Sequence, residues 1–202
     1  MTNGVNARRG RPGYDLPSLL AVAVQVFNEQ GYDATSMDDL AKRLGISKSA
    51  IYHHVRGKEE LLGLAIDRAL DALFAIVEQA EAGSEPAITR LRSLVRSSVE
   101  LLIDELPYVT LLLRVRGNTA VERSALNRRR EFDARVSSLM AQAMVDGDVR
   151  QDIDPTLTSR LLFGLVNSVT EWYRSQRDGK TSTAIVDTIM RIAFEGISTR
   201  RQ

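Results

Sequence analysis

The chain has 202 residues, 44% of them hydrophobic and 26% charged, with no cysteine and a formal net charge of +1. That size and mixture suit a soluble globular protein whose core needs no cross-links. The absence of thiols excludes cysteine catalysis, cysteine-ligated zinc and a disulfide framework, and no apolar run is long enough for a bilayer span or a secretory signal. A cytosolic protein with no membrane partner is expected.

The charge is unevenly placed. Residues 1–13 hold Arg8, Arg9 and Arg11 and no acid, a stretch suited either to reaching a polyanion or to serving as a soluble tail. Beyond it the 3.6-residue hydrophobic period recurs and period-two alternation is absent, so every element reads as helix. The first spans about Leu16 to Gln30, with Leu20, Ala23, Val24 and Phe27 as its apolar stripe and Gly31 as its stop. The second begins at Met37, where Ser36 and Asp39 have the spacing of an acidic capping box, and Gly45 ends it. Ser47 caps a third, short helix to about Val55, Gly57 interrupts again, and a long fourth helix spans about Lys58 to Ala82.

The turn at 82–86 offers Ser84 as a cap and Pro86 for the first turn of a fifth helix, which reaches about Glu105. Pro107 then separates off a short apolar segment that ends near Val115. A helix over Thr119 to Val145 follows, then one from an Asp154 cap to about Ser175, and a last one over about Ser182 to Ile197.

Residues 36–55 place two short capped helices on either side of a glycine turn, the spacing of a helix-turn-helix. Such a pair needs one helix to brace the other so that the second can enter a major groove. Ala50, Ile51 and Val55 fall on the side of Leu40 and Leu44, whereas Lys48, Ser49, Tyr52 and His53 share the other side and include no carboxylate. A buried face backed by an acid-free polar face suits groove reading. The nearby acids Asp38, Asp39, Glu59 and Glu60 sit in first turns of other helices, where the helix dipole favours them.

The run TSMDDLAKRLGISKSAIYHHVRGKEELL at 35–62 resembles the DNA-binding signature of the tetracycline-repressor (TetR) family, with Thr35, Gly45, Ser47, Tyr52, His54, Lys58, Glu59 and Leu61 at matching positions. Ser49, Val55 and Gly57 depart from the residues usual there, and Ser49 bears on sequence preference. The resemblance implies that Thr35, Tyr52 and Lys58 hold phosphates and that 47–53 approaches the bases. The expected DNA contacts are therefore Thr35, Ser36, Ser47, Lys48, Ser49, Tyr52, His53 and Lys58, with Arg9 and Arg11 from the arm. Arg9-Gly10-Arg11-Pro12 is similar to the core of an AT-hook, which lies in a narrow minor groove. A basic arm touching phosphates without sequence preference fits the same residues.

The fold class expected is all-α: an N-terminal three-helix helix-turn-helix domain followed by a C-terminal helical bundle for ligand binding and dimerisation. The divisions are a flexible basic arm at 1–13, the DNA-binding domain at 14–60 and the ligand-binding and dimerisation domain at 61–202. The resemblance implies a homodimer on a near-palindromic, double-stranded operator, paired through the last two long helices, with a small-molecule pocket among the middle ones. Leu161, Leu162, Leu165, Val166 and Val169 around Gly164, and Ile185, Ile189, Ile192 and Ala193, supply apolar faces that suit either such pairing or burial within one subunit. Arg92, Arg96, Tyr108, Arg114, Arg116 and Trp172 are the pocket candidates; an arginine fork suits phosphate, and arginines on a helix surface also snorkel.

The segment 171–180 resembles that of TetR-type regulators responding to acyl-CoA thioesters, which makes such a thioester the candidate effector. Arg128, Arg129 and Arg130 are expected to pair with acids along their own helix. Neither a cofactor nor a metal is expected, and no enzyme: His53 and His54 are adjacent and face different ways, and no phosphate loop or dinucleotide fingerprint occurs. The alternative keeps DNA binding but makes the chain a DNA-bound scaffold for a protein partner, such as a nucleoid-occlusion factor.

Overall fold

The computed structural model describes residues 15–174 and 179–197, and all regular structure among them is helical. Arg9 and Arg11 lie outside the described residues. The chain divides into two compact units, Met1–Leu61 and Leu62–Gln202.

The first unit contains α1 (Leu16–Gln30), α2 (Met37–Leu44), α3 (Lys48–Tyr52) and the start of α4 (Lys58–Ala82). Each short helix is fixed by local hydrogen bonds at its ends. Asp15 accepts the Ser18 N–H at 2.9 Å and starts α1. At α2 the capping box forms in both directions: the Asp39 N–H donates to Ser36 Oγ, and the Ser36 N–H donates to the Asp39 carboxylate. Gly45 takes a left-handed conformation, φ 66°, and closes α2. Leu19, Val24, Phe27, Leu40, Leu44 and Ile51 are buried together, so an apolar face on each of three helices meets one core. The third helix is shorter than the sequence suggests. The His54 and Val55 N–H groups still reach the Ile51 carbonyl, which leaves a single turn where a further helical turn was expected.

The second unit continues α4 and adds α5 (Ala87–Asp104), α6 (Leu106–Arg114), α7 (Ala120–Val145), α8 (Pro155–Asn167), α9 (Val169–Trp172) and α10 (Gly179–Ile197). Helix α5 packs against α6, α7, α8 and α10, and α7 also lies along α8. Phe74, Phe132 and Phe163 of α4, α7 and α8 form an edge-to-face chain, with ring centroids 6.4 and 5.2 Å apart.

Two boundaries differ from the sequence reading. Ser84 does not cap α5, and Pro86 stands just before the helix with ψ 144°, its carbonyl accepting the Thr89 and Arg90 N–H groups. The helix expected from Asp154 to Ser175 is interrupted at Ser168. There the Ser168 hydroxyl donates to the Leu165 carbonyl at 2.7 Å, and the Thr170 hydroxyl to the Asn167 carbonyl at 2.8 Å. Two hydroxyls competing for main-chain acceptors within one turn loosen the regular ladder.

Candidate nucleic-acid interface and interior cavity

In the first unit α3 is anchored by Ile51, fully buried, with Val55 buried just beyond its end. Ser47, Lys48, Ser49, Tyr52 and His53 are all exposed. Tyr52 is 47% exposed, unusual for a large aromatic side chain. Burial of one face therefore presents the other as a continuous polar surface. Within it Ser47 Oγ lies 2.9 Å from Ser49 Oγ and accepts the Ala50 N–H. Lys48 Nζ donates to Asp38 Oδ2 at 2.9 Å. That hydrogen bond, reinforced by the charge of Asp38, raises the pKa of Lys48 above its ordinary value.

Thr35 and Lys58 both serve the turn after α1. Thr35 is 2% exposed, and its hydroxyl donates to the Gly31 carbonyl at 2.8 Å. Its side chain therefore closes the turn after α1. Lys58 Nζ donates to the Tyr32 and Asp33 carbonyls at 2.9 and 3.3 Å and lies 4.4 Å from the centre of the Tyr32 ring. The ammonium braces the same turn. Ser36 is exposed, but its hydroxyl donates to Asp39 at 2.6 Å, and these bonds hold the Asp39 carboxyl below the usual carboxylate range. The sequence reading missed Asp38 as the partner of Lys48, because ten residues and a turn separate the two.

In the second unit a cavity of about 50 Å³ opens among α4, α5, α6, α7 and α8. Leucines of α4, α5 and α6, with Phe132, Phe163 and Val166, give it a mainly apolar wall. Arg129, Asp133, Ser98 and Asn167 are its polar members. The Ser98 hydroxyl is already engaged with the Leu94 carbonyl at 2.8 Å. Burial pushes the Asp133 carboxyl above its ordinary pKa, and the guanidiniums of Arg129 and Arg160 act in the opposite direction.

None of the six residues expected from sequence to line the pocket lines this cavity. Arg92 and Arg96 flank a separate groove beside α10, where Arg92 stacks on Phe194 at 4.6 Å and Arg96 pairs with Asp187 at 3.2 Å. Tyr108 is buried, but it lies under Arg68, which also bridges to Glu105 at 2.6 Å. Arg114 and Arg116 are exposed, and Trp172 is 58% exposed. The physical reason is common to the arginines: each charged head stays at solvent or pairs there, while leucines from the same segments point inward. Arg129 and Asp133 were legible as residues one helical turn apart, flanking the buried stripe of Phe132, Val136 and Met140. Of the arginine run, Arg128 bridges not along its own helix but to Asp67 and Asp71 of α4, at 3.0 and 2.6 Å, and Arg130 donates to the Asn127 side-chain oxygen at 2.8 Å.

A braced short helix with an exposed polar face, joined in one chain to a helical bundle that holds an interior cavity, defines a helix-turn-helix DNA-binding transcription regulator. Residues 19–65 match the family model for bacterial regulatory proteins of the tetR family, and residues 84–197 match that for a tetracyclin repressor-like C-terminal domain. The chain belongs to the TetR family of bacterial transcriptional regulators.

The HTH-type transcriptional repressor KstR2 of Rhodococcus jostii RHA1 is 30% identical over 178 residues, which is 86% of this chain and 83% of that protein. The crystal structure of SCO3833, a TetR-family member from Streptomyces coelicolor A3, is 53% identical with a TM-score of 0.84, over 96% of this chain and 98% of that one. AibR, solved in complex with isovaleryl coenzyme A and operator DNA, shares the fold at 22% identity and a TM-score of 0.74, over 88% of this chain and 97% of that one.

Proposed function

We propose that this regulator is a homodimeric repressor that binds a near-palindromic operator and releases it when an acyl-CoA thioester occupies the bundle. The observation that carries the reading is the exposed, carboxylate-free face of α3 from Ser47 to His53, set on a helix whose other side is buried. Lys48, Ser49 and His53 are the base-reading residues and Tyr52 a phosphate contact; Ser36 and Ser47 approach the backbone from helix starts. Lys58 and Thr35 act at one remove, by fixing the turn that positions α2. Arg9 and Arg11 extend the contact into a neighbouring minor groove.

Pairing through α8 and α10 is supported by apolar side chains left at solvent. Leu157 and Leu161 on α8 are 57% and 67% exposed, and Ile192 on α10 is 59% exposed. Gly164 lies on the same stripe, and a Cβ there would meet nothing of its own chain within 4 Å, which leaves room for a close partner helix. Two-fold pairing sets the separation of the two recognition helices, which groove fit requires to be about 34–36 Å. A ligand that favours another separation lowers operator affinity by population shift.

The effector class is supported by AibR, whose fold this chain shares and which holds isovaleryl coenzyme A. The test is operator affinity, by fluorescence anisotropy, with and without a panel of acyl-CoA thioesters, using free CoA and the free acids as controls. Loss of affinity with one thioester and with neither control supports the reading. Unchanged affinity across the panel removes the thioester as effector. Capture of a protein partner by the DNA-bound form would favour the scaffold instead.

A further inference from the structure

Arg56 and Gly57 immediately precede α4. The backbone there is fixed on both sides. Val55 is buried just before the pair, the Arg56 N–H donates to the Glu60 carboxylate, and the Leu61 N–H donates to the Gly57 carbonyl. The Arg56 side chain is exposed, and no carboxylate of the described residues pairs with it. Lys58, two residues on, is committed inward: its ammonium serves the Tyr32 and Asp33 carbonyls and lies against the Tyr32 ring. Turning Lys58 outward would strand both carbonyls.

Nothing within the described residues requires glycine at 57. Gly57 lacks the positive φ that calls for glycine, and a Cβ there would meet nothing within 4 Å. A side chain would fit, and a serine would cap α4. Glycine instead keeps the surface beside Arg56 low, so that a nucleic-acid strand can pass close to the main chain. The main chain is not the seat of an anion, because Glu60 has taken the Arg56 N–H, and Glu59 and Glu60 put negative charge in the first turn of α4. A phosphate must be met further out, by the guanidinium. Its planar fork of N–H donors grips two phosphate oxygens at once and stays charged at any working pH.

With α3 in a major groove, the residues directly after it leave the groove where the chain crosses the sugar–phosphate backbone. We propose that Arg56 grips a backbone phosphate at that edge, making in this chain the contact that the resemblance gives to Lys58, and that Gly57 lets the strand come close. The inference rests on the reading of α3 as the helix that enters the groove.

The test titrates the full chain, over a salt series, against a fluorescently labelled duplex of unrelated sequence, about 30 base pairs or three helical turns long. Log affinity falls linearly with log salt, with a slope of about 0.9 for each phosphate neutralised. Arg56→Gln should weaken binding and reduce the slope by about one for each subunit on the DNA. Arg56→Lys keeps the charge and should restore the slope. Lys58→Met should keep the wild-type slope and melt lower, because the Tyr32 and Asp33 carbonyls lose their donor. Melting curves establish that each variant is folded at the temperature of the titration.

An Arg56→Gln slope equal to wild type, a slope lost in Lys58→Met instead, or an Arg56→Lys slope as shallow as that of Arg56→Gln would each overturn the proposal. Lys48→Ala separates this inference from the reading beneath it. If Lys48→Ala alters neither affinity nor the bases selected while Arg56→Gln loses slope, the assignment of α3 falls and Arg56 remains a DNA contact. If Lys48→Ala changes the bases selected and Arg56→Gln keeps the slope, this inference alone falls. A wild type that ignores the duplex overturns both.

Discussion

Lys48, the first residue of α3, is tied by its ammonium to the Asp38 carboxylate of the preceding helix at 2.9 Å. Both side chains are substantially exposed, at 45% and 60%, so the pair contributes little to stability. On the proposed DNA contacts, its effect falls on binding. The carboxylate orients Lys48 across the turn and would place a negative charge where that reading brings phosphates. Asp38→Asn should therefore strengthen binding to unrelated DNA and steepen the fall of log affinity with log salt by about one ion. Anisotropy titrations over a salt series measure both, and an unchanged slope would show that Asp38 does not compete with phosphate.

Tyr52 and Lys48 should separate in a binding-site selection. On the proposed roles, Tyr52→Ala removes a phosphate contact and should weaken all sequences alike, whereas Lys48→Ala should relax preference at one base position by about 1–3 kcal/mol. Identical selected sites for the two variants would refute the division of roles.

Thr35→Val keeps the shape of the side chain and deletes the hydroxyl that serves the Gly31 carbonyl. The loss should lower unfolding free energy by about 1–2 kcal/mol, while operator affinity per folded molecule stays within error. Urea melts and an active-fraction titration distinguish this from a direct DNA contact, which would show the reverse pattern.

Leu161→Arg puts a charge at the centre of the outward face of α8. Since Leu161 is 67% exposed in this chain, the substitution should leave monomer folding intact and, on the proposed pairing, convert dimer to monomer in sedimentation velocity. A persistent dimer would move the interface elsewhere.

Asp133 supplies a pH dependence with a definite sign. Burial raises its folded pKa above the ordinary 3.8, against the opposing charges of Arg129 and Arg160. The folded state therefore holds this proton more tightly than the unfolded one, and the group costs stability as pH rises from the unfolded pKa through the folded one. Asp133→Asn should melt higher than wild type at neutral pH, and the gap should close as pH falls towards the unfolded value. A gap that widens on acidification would contradict the buried-carboxylate assignment.

The sequence by itself determined most of the helices, the caps at Ser36 and Ser47, and which side of α3 is exposed. These depend on interactions within a few residues: the Ser36–Asp39 box, the left-handed turn at Gly45 and the spacing of Ile51 and Val55 are all local. Burying one side of α3 then leaves Ser47, Lys48, Ser49, Tyr52 and His53 outside. Even the break at Ser168 had a local cause, two hydroxyls within one turn, but its effect depends on which carbonyls they reach. The tertiary structure alone decided the rest. Which carbonyls Lys58 reached depended on the approach of the turn after α1, which lies 25 or 26 residues earlier in the chain. Which polar groups reached the cavity depended on how five helices packed, since long arginine stems let Arg92, Arg96 and Arg114 leave the core, and the packing of α7 against its neighbours kept Arg129 and Asp133 at its wall. Contacts of that range carry no periodic trace in one sequence, because each joins segments whose spacing along the chain is unrelated to their distance in space.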